Sequence, residues 1–193
     1  MNHTPQIKKA IQYAARKHDG HKRLGAEGLP YITHLLSVAL LVAEDGTDDD
    51  VVTAALLHDA IEDTQTTQEE LLAAFNERVA ELVLEVTEKK ELSWEERHER
   101  YLERLEAASD DALLIAIADK IDNIEDKLAA LEREGPSFLK RFARRPQAYV
   151  EFYGKCLAIA ERRLPEHRLS KRFAEAHAQE VAAISGLNEK PTS

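Results

Sequence analysis

The chain has a single cysteine, Cys156, so no intramolecular disulfide can form and a thiolate metal site is not expected. Glycine and proline are scarce, 7 and 6 among 193 residues, too few for a turn-rich all-β protein, and they favour long helices instead. Basic residues are outnumbered, 26 against 36 acids, and the net charge of −10 argues against a general nucleic-acid binder, whose affinity for polyphosphate comes from lysine and arginine. A small anionic ligand stays compatible with that balance if the bases cluster. No apolar run approaches the roughly 18 residues needed to span a bilayer, and MNHTPQIKKA carries no apolar signal core. We therefore expect a cytoplasmic protein with no membrane partner.

What is present is apolar periodicity at helical spacing, with strand alternation nowhere. The expected fold is all-α, a single helical bundle of about eight to ten helices over residues 1–185, followed by a frayed tail at 186–193. The spacing predicts helices at about 5–18, 33–43, 50–62, 111–134, 146–163 and 166–184, and another through ERVAELVLEVTEK. HDGHKRLGAEGLP, with three glycines and a proline, reads as a loop. Thr67 with Glu70, and Ser93 with Glu96, read as capping boxes, and Ser109 or Asp110 as the cap of the longest helix, which Gly135-Pro136 stops.

One stretch stands out. AALLHDAIEDT, residues 54–64, sets His58, Asp59, Glu62 and Asp63 directly behind an apolar run, where a buried charge needs a partner or a metal. On a continuous helix His58 and Glu62, like Asp59 and Asp63, stand four apart and share one side. Imidazole with carboxylate suits a divalent transition metal, and a second acid can position water. The same acids at a helix end could equally be solvated. Two further residues weigh against that: His34 begins an apolar helix, and Asp119 interrupts LLIAIADKI.

The order His34, His58-Asp59, Asp119 resembles the H…HD…D pattern of HD-domain metal-dependent phosphohydrolases. PYITH (30–34), ALLHDAIEDT (55–64), the VT at 86–87 and ADKIDN (118–123) are similar to segments of the RelA/SpoT-type alarmone hydrolase domain, over about residues 8–160. The resemblance implies an HD-type helical domain holding one divalent metal, Mn²⁺, on His34, His58, Asp59 and Asp119. It implies Glu62 and Asp63 as the pair that activates the attacking water. Arg23 would pack on the base and Asn123 would contact the substrate. The implied reaction is hydrolysis of the 3′-pyrophosphate of ppGpp or pppGpp, releasing pyrophosphate in a stringent-response type of chemistry. Lys120, with Lys17 and Lys22, would supply positive charge for phosphates, although Lys17 and Lys22 also read as ordinary surface lysines.

Other readings stay open at this point. Leu24 stands where the family commonly has lysine, and Asp122 adds a negative charge near the expected phosphates, so another nucleotide such as ppApp or NADPH is an alternative substrate. A non-catalytic nucleotide-binding regulator is a third. His98, within EERHERYLER, reads as part of a solvated helix face, and His167 and His177 as surface residues. His18 and His21 lie in the loop near the site. Tyr149, Phe152 and Tyr153 read as core aromatics or as the wall of a base pocket. The oligomeric state is not legible.

Overall fold

The computed structural model describes residues 4–25, 28–44, 46–88 and 92–188. Among these, ten α-helices and one 3-10 segment form the architecture, and the extended pairing is limited to an isolated bridge between Lys22 and Pro30. The helices are α1 (Pro5–Lys17), α2 (Ile32–Ala43), α3 (Asp49–Leu57), α4 (Ala60–Asp63), α5 (Gln68–Ala74) and α6 (Glu77–Val86). They continue as α7 (Trp94–Ala107), α8 (Asp110–Glu134), α9 (Pro146–Arg163) and α10 (Arg168–Asn188). None of them is long and apolar enough to cross a membrane.

Local chemistry sets most of the boundaries. The side chains of Thr4, Asp48, Thr67, Asn76, Ser93 and Ser109 each accept a hydrogen bond from a first-turn N–H, satisfying donors that the helix itself cannot. At Ser93 the reciprocal bond from Glu96 completes the expected capping box. α8 ends at Gly135, whose φ of +69° only glycine adopts freely. α10 runs through Asn188, past the expected helix end at about 184; residues 189–193 of the expected tail lie outside the described residues.

Two helices organise the core. In α3 every residue from Val51 to Leu57 is buried and all but Thr53 are apolar, as suits a helix wrapped by others. Leu56 and Leu57, both fully buried, contribute about 1.5–3 kcal/mol each by leaving water. α8, 25 residues long, packs against α2, α6, α9 and α10 and also touches α3. Its midpoint brings Asp119 to the C-terminal end of α3 and the first turn of α2. That meeting of three elements is where the ionisable residues gather.

The expected helix at 50–62 is broken. α3 stops at Leu57, and Asp59 adopts φ −94°, ψ 0° before α4 resumes. The break has a physical origin: His58 Nδ1 turns back to the Ala55 carbonyl at 2.8 Å, while the Asp59 carboxylate is drawn to the Tyr31 hydroxyl at 2.7 Å. The Asp63 N–H still reaches the Asp59 carbonyl at 2.9 Å, which keeps Asp63 one turn from Asp59.

Candidate metal centre and its cleft

His34 enters from the first turn of α2, with its ring 1% exposed. Its Nδ1 lies 2.6 Å from Asp122 Oδ2, so that nitrogen carries the proton and donates it, and the lone pair is on Nε2. His58 is set the same way by a backbone acceptor: Nδ1 donates to the Ala55 carbonyl. Both Nε2 atoms are buried and have no hydrogen-bond partner among the described residues.

Those two nitrogens converge on two carboxylates. His34 Nε2 lies 3.6 Å from Asp59 Oδ2 and 3.3 Å from Asp119 Oδ1; His58 Nε2 lies 3.2 Å and 3.8 Å from the same two atoms. Donors bonded to one ion at about 2.0–2.2 Å stand about 3–4 Å from one another, so the four spacings suit a shared cation. The orphaned, buried lone pairs are the observation that tests the fit, because leaving them unsatisfied is costly unless something electrophilic lies between them. Two imidazoles and two carboxylates could hold a borderline divalent metal. Among the described residues, His34, His58 and Asp59 form a triplet whose ligand atoms all lie within 4.8 Å of one another.

Without an ion the cluster is held together by protons. Burial disfavours a charged His34, yet the nearby Asp119, Asp122 and Asp59 carboxylates outweigh it and raise its pKa to about 9. His58 is raised as well, against burial, chiefly by the Asp59 charge. Burial opposes the charged forms of Asp59 and Asp119 too, but the imidazolium charge of His58 beside Asp59 and the ammonium of Lys120 beside Asp119 lead a set of contacts that hold both acids well below the usual range. A divalent cation would replace the protons on these rings.

Asp122 was expected to face phosphate. It is instead buried behind His34, bonded to that ring and to Arg23 Nη2 at 3.2 Å, because it lies three residues after Asp119 on the inward face of α8. It orients a ring rather than repelling a substrate. Tyr31, which donates to Asp59, does the same from the α2 side, and His18 stacks on Tyr31 at 5.1 Å with both of its own ring nitrogens buried.

Beside this centre lies a cleft of about 780 Å³ of empty space, part of it open to solvent. Glu62 and Asp63 line it together with Asp59 and Asp119. Burial first, and then repulsion by Asp59 and Glu88, push Glu62 up to about 7, and its Oε2 accepts the Glu88 N–H at 3.1 Å. Lys120 Nζ sits 2.7 Å from Asp119 Oδ2 beneath the Tyr101 and Phe152 rings, and Asn123 Nδ2 donates to Asp119 Oδ1 at 2.5 Å.

Arg23 is buried and forks onto Asp126 at 2.8 and 3.0 Å, with further bonds to Asp122 and Asn123. Lys17 pairs with Glu70 at the surface, and Lys22 is exposed.

His98 corrects the sequence reading. It is 7% exposed, stacked on Trp94 at 3.9 Å and packed edge-on against Phe152 at 4.0 Å, and it lines the same cleft with Arg97. Its Nδ1 donates to the Trp94 carbonyl four residues back, which lets a polar ring bury within a charged helix. Tyr149, Phe152 and Tyr153 also line the cleft, and Phe152 and Tyr153 are at once core residues. His177 is half-buried, its Nε2 bonded to the Val150 carbonyl, rather than a surface residue.

Comparison with known proteins agrees with this geometry. The HD domain family model matches residues 10–145. The guanosine-3′,5′-bis(diphosphate) 3′-pyrophosphohydrolase MESH1 of Danio rerio is 39% identical over 151 residues, covering 77% of this chain and 81% of that protein. The Homo sapiens MESH1 is 42% identical over 123 residues, 63% of this chain and 69% of that one. A solved structure of a metazoan orthologue of SpoT, described as hydrolysing ppGpp, superposes with a TM-score of 0.80 at 30% identity over 93% of this chain and 97% of that chain. With its helical bundle and the convergence of His34, His58, Asp59 and Asp119, the chain belongs to the HD-domain family, in the group that contains MESH1.

Proposed function

We propose that this protein is a metal-dependent hydrolase that removes the 3′-pyrophosphate of guanosine 3′,5′-bis(diphosphate), and of its 5′-triphosphate analogue, to give GDP or GTP and pyrophosphate. The observation that carries the reading is the pair of buried, orphaned Nε2 lone pairs converging on two carboxylates. The names of the relatives support the substrate. His34, His58, Asp59 and Asp119 would hold one ion, with Mn²⁺ as the working metal. When bound, the ion would supply Lewis acidity for the phosphate ester.

The chain's own groups do the rest. Glu62 and Asp63 orient the attacking water and take its proton; a carboxyl near 7 is matched to that exchange at neutral pH. The new bond joins the water oxygen to the phosphorus attached at the ribose 3′-oxygen. The bond from that phosphorus to the ribose oxygen breaks, and the ribose oxygen is protonated. Lys120 brings positive charge to the phosphates, and Asn123, one turn from Asp119, offers an amide at the same edge. The Asp122 carboxylate holds His34 in the required tautomer. Cytoplasmic residence belongs to this reading.

A second reading keeps the centre and changes the nucleotide to ppApp or NADPH. It is favoured by Arg23, whose guanidinium is already forked onto Asp126 and Asp122, and by Leu24, 49% exposed, which brings no charge. A regulator that binds without turnover has no need of Glu62 and Asp63 in the cleft wall. Ion-exchange product analysis tests these readings, with Mn²⁺ and each of ppGpp, pppGpp, ppApp and NADPH, beside an Asp59→Ala control. Metal-dependent pyrophosphate release from the guanosine compounds supports the first reading. Turnover of ppApp or NADPH alone replaces the substrate.

A further inference from the structure

The cleft contains a cation that the hydrolytic scheme leaves unused. Arg97, in the first turn of α7, lines it together with Glu62 and Asp119. Arg97 Nε lies 2.8 Å from Glu88 Oε2, yet the contact is not aligned as a hydrogen bond, and Nε is buried without a hydrogen-bond partner among the described residues. The side chain is 25% exposed, and that of Glu88 is 12% exposed, so the pair sits where water competes weakly.

Glu88 ties Arg97 to the centre at one remove. Its backbone N–H donates to Glu62 Oε2, while its carboxylate faces Arg97. Lys120, by contrast, touches Asp119 directly. Among the described residues the cleft thus holds two side-chain cations, Lys120 beside the four-residue cluster and Arg97 one carboxylate further out. Five acids among the described residues line the same space: Asp59, Glu62, Asp63, Glu88 and Asp119. A polyanion with two linked phosphates can enter only if charge is compensated at both depths, and a planar guanidinium matches phosphate oxygens two at a time.

We propose that Arg97 binds the outer phosphate of the substrate's pyrophosphate and so selects pyrophosphate esters over single phosphate esters; this rests on the hydrolytic reading of the cleft. On binding, the guanidinium exchanges a misaligned contact with Glu88 for an aligned fork.

The test compares the wild type with Arg97→Ala, Arg97→Lys and Glu88→Gln, each checked by thermal melting. Steady-state constants are measured for guanosine 3′,5′-bis(diphosphate) and for the same nucleotide with one 3′-phosphate. Competitive inhibition by inorganic pyrophosphate and by orthophosphate is measured alongside. In Arg97→Ala we expect KM for the bis(diphosphate) and the inhibition constant for pyrophosphate to rise about 10- to 100-fold. The single-phosphate compounds change less, so the selectivity ratio collapses. Arg97→Lys restores part of the ratio, and Glu88→Gln tightens pyrophosphate. Equal losses for both classes, or no loss, would overturn the proposal. Should the wild type hydrolyse neither nucleotide, the hydrolytic reading falls, and calorimetric titration with inorganic pyrophosphate and orthophosphate still decides Arg97: a pyrophosphate preference lost in Arg97→Ala supports it, and no preference overturns it.

Discussion

Replacing Asp122 by asparagine tests whether His34 is a metal ligand tuned from behind. The carboxylate lies 2.6 Å from His34 Nδ1 and 3.2 Å from Arg23 Nη2, with side chains 12%, 1% and 8% exposed respectively, so the charge acts in a poorly solvated place. Asparagine can still accept the Nδ1 proton through its amide oxygen, so the tautomer survives and what is lost is the negative charge that makes the imidazole more basic. Losing such a partner weakens metal binding about 10- to 100-fold, which is about 1.4–2.7 kcal/mol. Asp122→Ala removes the acceptor as well and should cost more. Arg23 keeps its fork onto Asp126 in both variants, which protects the loop. Calorimetric titration with Mn²⁺ reads the loss directly. Metal affinity unchanged in both variants, with unchanged thermal stability, would refute the chain of reasoning from Asp122 through His34 to the ion.

The other expectations concern protons and charge. Glu62→Gln and Asp63→Asn should each retain metal and lose turnover about 100-fold or more if the pair does acid-base work, as steady-state kinetics beside metal analysis would show; full activity in both removes that role. Chelated protein should be most helped by its imidazolium–carboxylate contacts below about pH 6.5, the ordinary histidine value, and lose that help as pH rises through about 9, where His34 gives up its proton. Metal binding must displace that proton, so affinity should rise with pH over the same window, and calorimetry in two buffers of different ionisation enthalpy should detect proton release. Lys127, buried under the Phe142, Tyr149 and Tyr153 rings, pairs with the fully buried Glu180. Lys127→Met alone should destabilise by about 3–5 kcal/mol, and Lys127→Met with Glu180→Leu by much less; equal losses in denaturant titrations would contradict this.

Most helices and half of the six side-chain caps were legible because they depend on neighbours: Thr67, Ser93 and Ser109 cap turns whose N–H groups lie three residues away. The continuous helix through His58 was not legible, since its break depends on Tyr31, 28 residues earlier, capturing Asp59. Asp122 misled for a similar reason. Its partner His34 is 88 residues away, and only its spacing from Asp119 on one helix face could have hinted at a shared site. His98 sits in so charged a run that periodicity counts it as surface. The signal was Trp94 four residues before it, a ring onto which an imidazole can fold. The ligand set itself was recognised through resemblance and not through spacing, because no periodicity links His34, His58 and Asp119 across three helices.

The most direct measurement is anomalous diffraction at the manganese edge from crystals grown with Mn²⁺. We expect one peak bounded by His34 Nε2, His58 Nε2, Asp59 and Asp119, lost in Asp59→Ala. Manganese bound elsewhere, or no peak in protein that turns over its nucleotide, would contradict the assignment of this centre.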